Sequence, residues 1–206
     1  MKRVAVLASG RGSNFQALID AIRDGAIQAV CVGLVTDNPR AHAISRAEDA
    51  GIPVHVVDYS RFPGKEEYEA ALLTAMKGLR SDLFVLAGYM RILGPEIVRE
   101  FSGKMINIHP ALLPSFAGLH AQRQAIEYGV KVSGCTVHLV DEGMDTGPII
   151  VQACVPVLDD DDEESLAGRI LAEEHRCLPM AVKLFCEGRL AVDGRRVVLR
   201  EGGPQG

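Results

Sequence analysis

Asn107 and His109 are the residues whose types and spacing most directly suggest chemistry. They lie two residues apart at the end of an apolar segment, so in a strand both side chains project to the same side. Ligands in open α/β sheets bind beyond the carboxyl ends of the strands. An amide and an imidazole can both donate hydrogen bonds to a developing oxyanion. A histidine at a strand end is also commonly a structural residue, so both interpretations are open at this point.

Asp145 supplies the carboxylate that such a site needs. It lies in the glycine-rich segment GMDTGP, which follows a strand-like segment containing His138. A loop here could return Asp145 towards His109, where a carboxylate would orient the ring and favour its protonated form. An aspartate between glycine and proline also commonly caps its own backbone, and the sequence alone leaves this alternative open.

A metal site is a further alternative for some of the same side chains. The candidate ligands are His109, His120, His138, His175 and Asp145. No histidine pair has the i, i+4 spacing of a helical zinc motif. We therefore expect no metal.

A glycine loop near the start of the chain predicts an anion site. The segment SGRGSN lies between an apolar strand-like run and a helical pattern, so backbone N–H groups and the positive end of a helix would face a bound anion. A dinucleotide fingerprint requires a third glycine where this chain has Phe15, although Asp37 is placed as its acidic residue. The P-loop lysine is absent. The loop through Gly10 and Gly12 therefore indicates a monophosphate site, with an ordinary tight turn as the alternative.

The elements that must position these residues follow from the periodicity of apolar side chains. Apolar runs that alternate with helical patterns predict an open, doubly wound, Rossmann-like α/β fold with a mostly parallel sheet. Two later strands joined by a short loop predict an antiparallel addition, followed by a long helix and a terminal hairpin. The predicted strands span residues 3–8, 29–36, 52–57, 82–87, 104–109, 132–140 and 149–157. The predicted helices span 15–22, 41–50, 66–79, 121–128 and 165–187, and the hairpin spans 189–200.

The overall composition excludes several classes of protein. A formal charge of −5 over 206 residues gives no general attraction to nucleic acid or to an anionic membrane surface. No apolar run approaches the roughly 20 residues that span a bilayer, and no cleavage site follows the first residues, so we expect a cytoplasmic protein. The five cysteines are scattered and never arranged as C-x-x-C. We expect them to be reduced and mostly buried thiols.

Six consecutive acidic residues, 159–164, permit two interpretations. They could bind a cation, or they could form a solvated loop whose carboxylates favour the N-terminus of the following helix. We favour the second interpretation.

Five segments carry a resemblance to a known family. They are ASGRGSNFQALIDA at 8–21, LAGYMRILGPEIV at 86–98, INIHPALLPSFAGLHAQRQAI at 106–126, SGCTVHLVDEGMDTGPIIVQ at 133–152 and the terminal helix around Glu173-Glu174-His175. Together they resemble the glycinamide ribonucleotide formyltransferases over nearly the whole chain. The Asn-x-His-Pro and Asp-x-Gly-Pro segments are shared by folate-dependent formyltransferases generally, while ASGRGSN indicates a phosphoribosyl substrate.

The resemblance implies roles for individual residues. The catalytic trio is matched by Asn107, His109 and Asp145. The substrate contacts are matched by Gly12, Ser13 and Asn14 for the phosphate and by Glu174 for the ribose. The folate pocket is matched by Met90, Arg91, Ile92 and Leu93, by the backbone at Val140, Asp141, Glu142, Gly143 and Met144, and less closely by Lys65, which stands where some members have arginine.

The reaction implied by the resemblance moves a formyl group from 10-formyltetrahydrofolate, a co-substrate, to the amine of glycinamide ribonucleotide in purine biosynthesis. Asn107 and a protonated His109 would stabilise the oxyanion, and Asp145, His109 or a bound water would relay the proton. We expect direct transfer, since Ser133 and Cys135, the conceivable formyl acceptors, have no base in their local sequence.

We expect a single formyltransferase domain over residues 1–206. Its phosphate-binding, Rossmann-like half would span 1–100, and its catalytic and folate-binding half 101–206. The expected partners are the two small-molecule substrates, with no nucleic acid and no membrane, and the expected assembly is a monomer or a weak homodimer.

Three rival functions are left open. Formyltetrahydrofolate hydrolase shares the trio but lets water take the formyl group, and its additional N-terminal regulatory domain is not expected in a chain that starts at the catalytic strand. Methionyl-tRNA formyltransferase carries a C-terminal RNA-binding barrel where this sequence predicts only a hairpin. A non-catalytic nucleotide-binding module would explain the glycine loop but not Asn107, His109 and Asp145.

Overall fold

The structure is a computed structural model that describes residues 1–200. It separates into two compact units, one spanning Met1–Ile106 and one beginning at Asn107. The predicted single domain with halves that meet at residue 100 stays a prediction, and its last six positions lie outside the described residues.

The first unit is a parallel sheet with its connecting helices. Its elements are β1 (Lys2–Leu7), α1 (Ser13–Arg23), β2 (Ala29–Thr36), α2 (Ala43–Asp49), β3 (Val54–Val56), a 3₁₀ turn at Tyr59–Arg61, α3 (Lys65–Leu79), β4 (Leu83–Leu86) and α4 (Pro95–Glu100). The strands lie in the order β3-β2-β1-β4, and each neighbouring pair is parallel. This is the strand order of one half of a doubly wound fold.

Apolar periodicity accounts for these elements. All four residues of β4 are buried, as a strand with both faces covered requires. Helix α1 buries Phe15, Leu18 and Ile19 at helical spacing. α4, which begins at Pro95 and has six residues, was not predicted from the sequence. A helix this short gives too few apolar positions to reveal its period, although proline is favoured in a first turn.

The second unit combines strands of mixed direction with one long helix. β5 (Met105–His109) ends in it, and it continues with α5 (Ala121–Tyr128), β6 (Val132–Leu139), β7 (Ile149–Pro156), α6 (Glu163–Cys186), β8 (Leu190–Asp193) and β9 (Arg196–Leu199). The strands that follow β5 lie in the order β6-β7-β9-β8. β6 pairs antiparallel with β7, and β8 pairs antiparallel with β9.

The predicted fold class is confirmed. The strands are mostly parallel in the first unit, the antiparallel addition is the β6–β7 pair, and the long helix and the terminal hairpin are present. Helix α6 continues through Pro179 to Cys186. Across residues 1–200, no helix combines the length and the apolar character needed to cross a membrane.

The acidic run organises the start of α6. Asp162 caps the helix by accepting a hydrogen bond from the N–H of Ser165, whose hydroxyl accepts from the N–H of Asp162 in return. Asp161 binds Arg169 with both carboxylate oxygens, at 2.7 and 2.9 Å. These contacts agree with the interpretation as a loop that favours the helix N-terminus.

The expectation of mostly buried cysteines is wrong. All five thiols are free, but only Cys135 and Cys177 are buried, whereas Cys154 is exposed. Cys154 lies on β7, where burial alternates and the residue after it, Val155, faces the core. Because side chains alternate along a strand, the sequence neighbour of a core residue faces the other way.

Candidate active site

β5 places the first two candidate side chains together. Ile106 and Ile108 are 0% and 7% exposed, and their burial against the core fixes the face on which the alternate residues lie. Asn107 and His109 occupy those alternate positions, and His109 is only 5% exposed. The strand therefore presents an amide and an imidazole side by side at its carboxyl end, as the spacing predicts.

Asp145 lies at the centre of a polar cluster. Its Oδ2 accepts a hydrogen bond from the N–H of Gly118 at 2.9 Å and lies 3.3 Å from Nδ1 of His109. Its Oδ1 accepts a hydrogen bond from Nδ2 of Asn107 at 3.3 Å and lies 3.6 Å from Nε2 of His138. One carboxylate thus contacts an amide, two imidazoles and a backbone N–H.

The alternative in which Asp145 caps its own loop does not occur, because Asp141 does this instead. Oδ1 of Asp141 accepts from the N–H of Gly143 at 3.1 Å and from the hydroxyl of Thr146 at 2.6 Å. A β-carbon at Gly147 would overlap the carbonyl oxygen of Leu139, so that position requires glycine. Asp141 therefore stabilises the loop, and the carboxylate of Asp145 is available for contacts with the cluster.

His138 also belongs to the cluster, although the sequence suggested it only as a candidate metal ligand. It is 2% exposed on β6. Its Nδ1 donates to the carbonyl oxygen of Leu139 at 2.8 Å, since that oxygen can only accept. Its Nε2 is then the atom that accepts from the amide of Asn107, at 3.1 Å. Because buried polar groups are hydrogen-bonded, a histidine within a buried apolar strand predicts polar partners, and this could have identified His138 as a site residue.

His109 has oxygen atoms on both sides of its ring. Nε2 donates to the carbonyl oxygen of Phe116 at 2.8 Å, while Nδ1 faces the carboxylate of Asp145. Phe116 has a positive φ of 54°, and its ring packs edge-on against Tyr128. Phe116 and Gly118 had not been identified as site residues, because a backbone group carries no sequence signal of its own.

The cluster keeps Asp145 ionised. Partial burial raises the pKa of this carboxyl, but the hydrogen bond from the Gly118 N–H and the charge of His109 outweigh the effect of burial and hold the pKa below its usual value. At neutral pH the group at the centre of the cluster is therefore a carboxylate.

The glycine loop has the local geometry of an anion site. Gly12 precedes α1 with a φ of 70°, and a β-carbon there would lie 2.8 Å from Cβ of Ala43. Within the described residues the N-cap position of α1 provides no side-chain cap, and the first N–H groups of a helix have no acceptor within the helix itself. Both conformation and space require glycine at residue 12.

Several of the predicted folate residues line one cavity of the first unit. It measures about 260 Å³ and is lined by Tyr59, Lys65, Tyr68, Glu69, Met90, Arg91 and Ile92. Burial raises the pKa of Tyr68 to about 12, so its phenol stays protonated. Leu93 is half-buried and is not part of this lining.

A larger cavity of the first unit lies elsewhere. It measures about 470 Å³, and its lining is Pro39, Val56, Val57, Asp58, Arg61, Phe62 and Ala71. None of the predicted site residues is among them, and Asp58 and Arg61 pair with each other. Size alone therefore does not make it the better candidate.

The remaining predicted residues belong to the second unit. Val140 is half-buried, while Glu142, Gly143 and Met144 are exposed in the loop before Asp145. Glu174 lies on α6 and is 7% exposed, which is unusual for a carboxylate. In the part of the chain that the structure describes, no group of three or more histidine, cysteine or acidic side chains is arranged so that it could hold a metal ion.

Comparison with known proteins gives a consistent result. Residues 2–182 match the protein family described as formyl transferase. The phosphoribosylglycinamide formyltransferase of Escherichia coli (strain K12) is 39% identical over 94% of this chain and 95% of its own length. The trifunctional purine biosynthetic protein adenosine-3 of Drosophila melanogaster is 53% identical over 91% of this chain, but the chain spans only 14% of that protein.

Solved structures agree with the sequence matches. Glycinamide ribonucleotide transformylase 1 from Symbiobacterium toebii has a TM-score of 0.95 at 47% identity, covering 98% of this chain and 95% of that one. A formyltetrahydrofolate deformylase from Pseudomonas syringae pv. tomato str. DC3000 has a TM-score of 0.91 at 30% identity, covering 97% of this chain and 66% of that one.

Proposed function

This chain belongs to the formyl transferase family, and from that membership we propose that it transfers the formyl group of 10-formyltetrahydrofolate to the amine of glycinamide ribonucleotide. The proposal places the chain in purine biosynthesis, as the names of its relatives suggest. The observation that carries it is the cluster around Asp145, whose carboxylate contacts Asn107, His109 and His138.

The cluster supports the chemistry because each group matches a step. The amine nitrogen attacks the formyl carbon, and the carbonyl electron pair moves to the oxygen. The tetrahedral oxyanion is stabilised by N–H donors of Asn107 and of a protonated His109, each such donor being worth ~10²–10³ in rate. The carboxylate of Asp145 offsets the charge of the imidazolium and keeps the ring in place.

Proton transfer completes the reaction. The ammonium formed by attack loses a proton, and the folate nitrogen gains one as its bond to carbon breaks. Asp145, directly or through a water, is suited to the first transfer because it is ionised at neutral pH. No covalent bond to the protein is required.

The backbone carbonyl of Phe116 occupies the hydrogen-bonding position that the oxyanion requires. It accepts from Nε2 of His109, and both hydrogens of the Asn107 amide face acceptors on His138 and Asp145. We infer that the reacting oxygen replaces the Phe116 carbonyl as the partner of Nε2 and replaces one of the two acceptors of the Asn107 amide. Binding of the formyl donor would therefore exchange one hydrogen bond for another rather than leave an N–H unsatisfied.

The remaining residues are proposed to bind the substrates. In the first unit, Gly12, Ser13 and Asn14 would hold the phosphate with backbone N–H groups, and Lys65 with residues 90–93 would contact the folate. In the second unit, Glu174 would contact the ribose, and the backbone at residues 140–144 would contact the folate. No metal takes part in this mechanism.

We also propose a cytoplasmic location and a monomer or weak homodimer. The five free thiols are compatible with a reducing compartment. The net charge of −5 favours neither nucleic acid nor an anionic membrane as a partner.

One assay separates the proposal from its rivals. Loss of the formyl group from 10-formyltetrahydrofolate is followed by absorbance, with and without glycinamide ribonucleotide. We expect turnover only when both are present. Turnover without the amine would indicate the hydrolase, which the likeness to a deformylase keeps as the alternative, and no turnover in either case would indicate a binding module.

A further inference from the structure

Asp37 is a buried carboxylate that the proposed mechanism does not use. It follows β2 and is 7% exposed. Its Oδ2 accepts a hydrogen bond from Nε of Arg91 at 2.6 Å, while its Oδ1 is buried and has no hydrogen-bond partner among the described residues. Keeping a carboxylate buried and half-satisfied is costly.

Arg91 is held from two directions. Asp37 holds its Nε, and the guanidinium carbon lies 3.5 Å from the ring centroid of Tyr59. The backbone beside it is also fixed, because the N–H of Met90 donates to the hydroxyl of Ser9 at 2.9 Å. An arginine side chain normally loses several rotatable bonds of freedom when it binds a ligand. The contacts with Asp37 and Tyr59 already restrict the Arg91 side chain before a ligand binds.

The held guanidinium keeps two terminal amino groups without a partner among the described residues. Because Nε is occupied, the edge between these two groups is the one left for a bidentate contact. Such an edge matches the two oxygens of a carboxylate. Arg91 also lines the cavity of about 260 Å³.

The other cation of that cavity is placed differently. The side chain of Lys65 is 57% exposed and lies 3.4 Å from Glu69. A flexible ammonium that is already paired does not impose a particular orientation on a bound carboxylate. Any selective contact to a carboxylate in this cavity therefore falls to Arg91.

We propose that Asp37, with Tyr59, is a positioning residue that presents the terminal amino groups of Arg91 to a carboxylate at the glutamate end of the folate. This inference rests on the proposed function, since it takes a folate as the occupant of the cavity. Asp37 itself does not touch the ligand. It determines how tightly the carboxylate-bearing end is bound and leaves the reacting end unchanged.

The test compares two ligands that differ only at that end. Folic acid carries the two glutamate carboxylates, whereas the methyl amide of pteroic acid ends in a neutral amide, and the affinity of each is measured by titration calorimetry without turnover. We expect Asp37→Asn to weaken folic acid binding about tenfold and to change binding of the neutral amide less than about twofold, because only folic acid has a carboxylate for Arg91 to bind.

The matched control is Asp161→Asn. Asp161 is a similarly buried partner of an arginine, with its side chain 3% exposed against 5% for Asp37, but it lies at the start of α6. This variant should bind both ligands as the wild type does. Tyr59→Leu, which keeps the ion pair but removes the ring, should weaken folic acid binding by about threefold and serves as the test if Asp37→Asn does not fold.

Three results would overturn the inference. Equal weakening of both ligands would mean that Asp37 only supports the fold, and unchanged binding of both would mean that it has no role here. Tighter binding of folic acid would mean that Asp37 merely neutralises Arg91. The absorbance assay on the wild type tests the proposed function separately, so failure of one is not mistaken for failure of the other.

Discussion

Asp145 and Asp161 are two aspartates with pKa values below the usual range, but their partners differ in kind. The hydrogen bonds from the Arg169 side chain and the Leu158 N–H hold the pKa of Asp161 low. The partner of Asp161 carries a permanent charge and lies eight residues away at 2.7 Å. Asp145 instead faces two imidazoles and an amide at 3.3 to 3.6 Å.

The difference separates a structural carboxylate from a chemical one. A close, bidentate contact to arginine fixes geometry and cannot exchange protons. Longer contacts to titratable rings can change as charge develops in a reaction. We therefore assign Asp161 to the start of α6 and Asp145 to catalysis.

The largest expected effect that tests this assignment is that of Asp145→Asn. Replacing the carboxylate by a neutral amide removes the charge opposite His109, so kcat should fall at least about 100-fold. Steady-state kinetics measure this fall. Asp161→Asn is the control and should keep kcat within about twofold of the wild type. A comparable loss in both variants would remove the distinction.

Asn107→Ala should cost about 100-fold in kcat with little change in KM, because an oxyanion donor acts in the transition state rather than in substrate binding. The measurement is steady-state kinetics with each substrate varied in turn. A rise in KM with kcat unchanged would show that the Asn107 amide binds substrate instead.

His138→Phe should lower kcat by about tenfold, a smaller effect because His138 contacts Asn107 and Asp145 rather than substrate. The phenyl ring leaves an amide hydrogen of Asn107 without its acceptor. His138→Gln can offer an acceptor again and should recover part of the loss. Equal activity of both variants and the wild type would exclude His138 from the cluster's function.

Acid should weaken the fold through both aspartates. A carboxyl with a lowered pKa contributes stability at pH values above its unfolded pKa, about 3.9, and this stability is lost as the pH falls through the lower folded pKa. As the pH is lowered from about 5 to below the unfolded pKa of about 3.9, the free energy of unfolding should fall less for Asp145→Asn and for Asp161→Asn than for the wild type. Urea denaturation across this range provides the measurement, and identical losses in all three proteins would contradict it.

Local pattern was sufficient for most of the fold and for part of the site. The period of apolar residues predicts α1, β6 and the long helix α6 to within a few residues, because each buries one face against a core. Asn107 and His109 were identified together because their spacing in a strand is a local property. The short helix α4 was missed because six residues show too little of a period.

The sequence by itself determined the fold class, the glycine loop and the candidates for catalysis, since each depends on residues close together in the chain. Only the tertiary structure decided which groups Asp145 contacts. Asn107 and Gly118, which donate to it, lie 38 and 27 residues away in the chain, and Arg91 lies 54 residues from Asp37. Such pairings depend on how loops close and which backbone groups they expose, and the types of the side chains do not predict either.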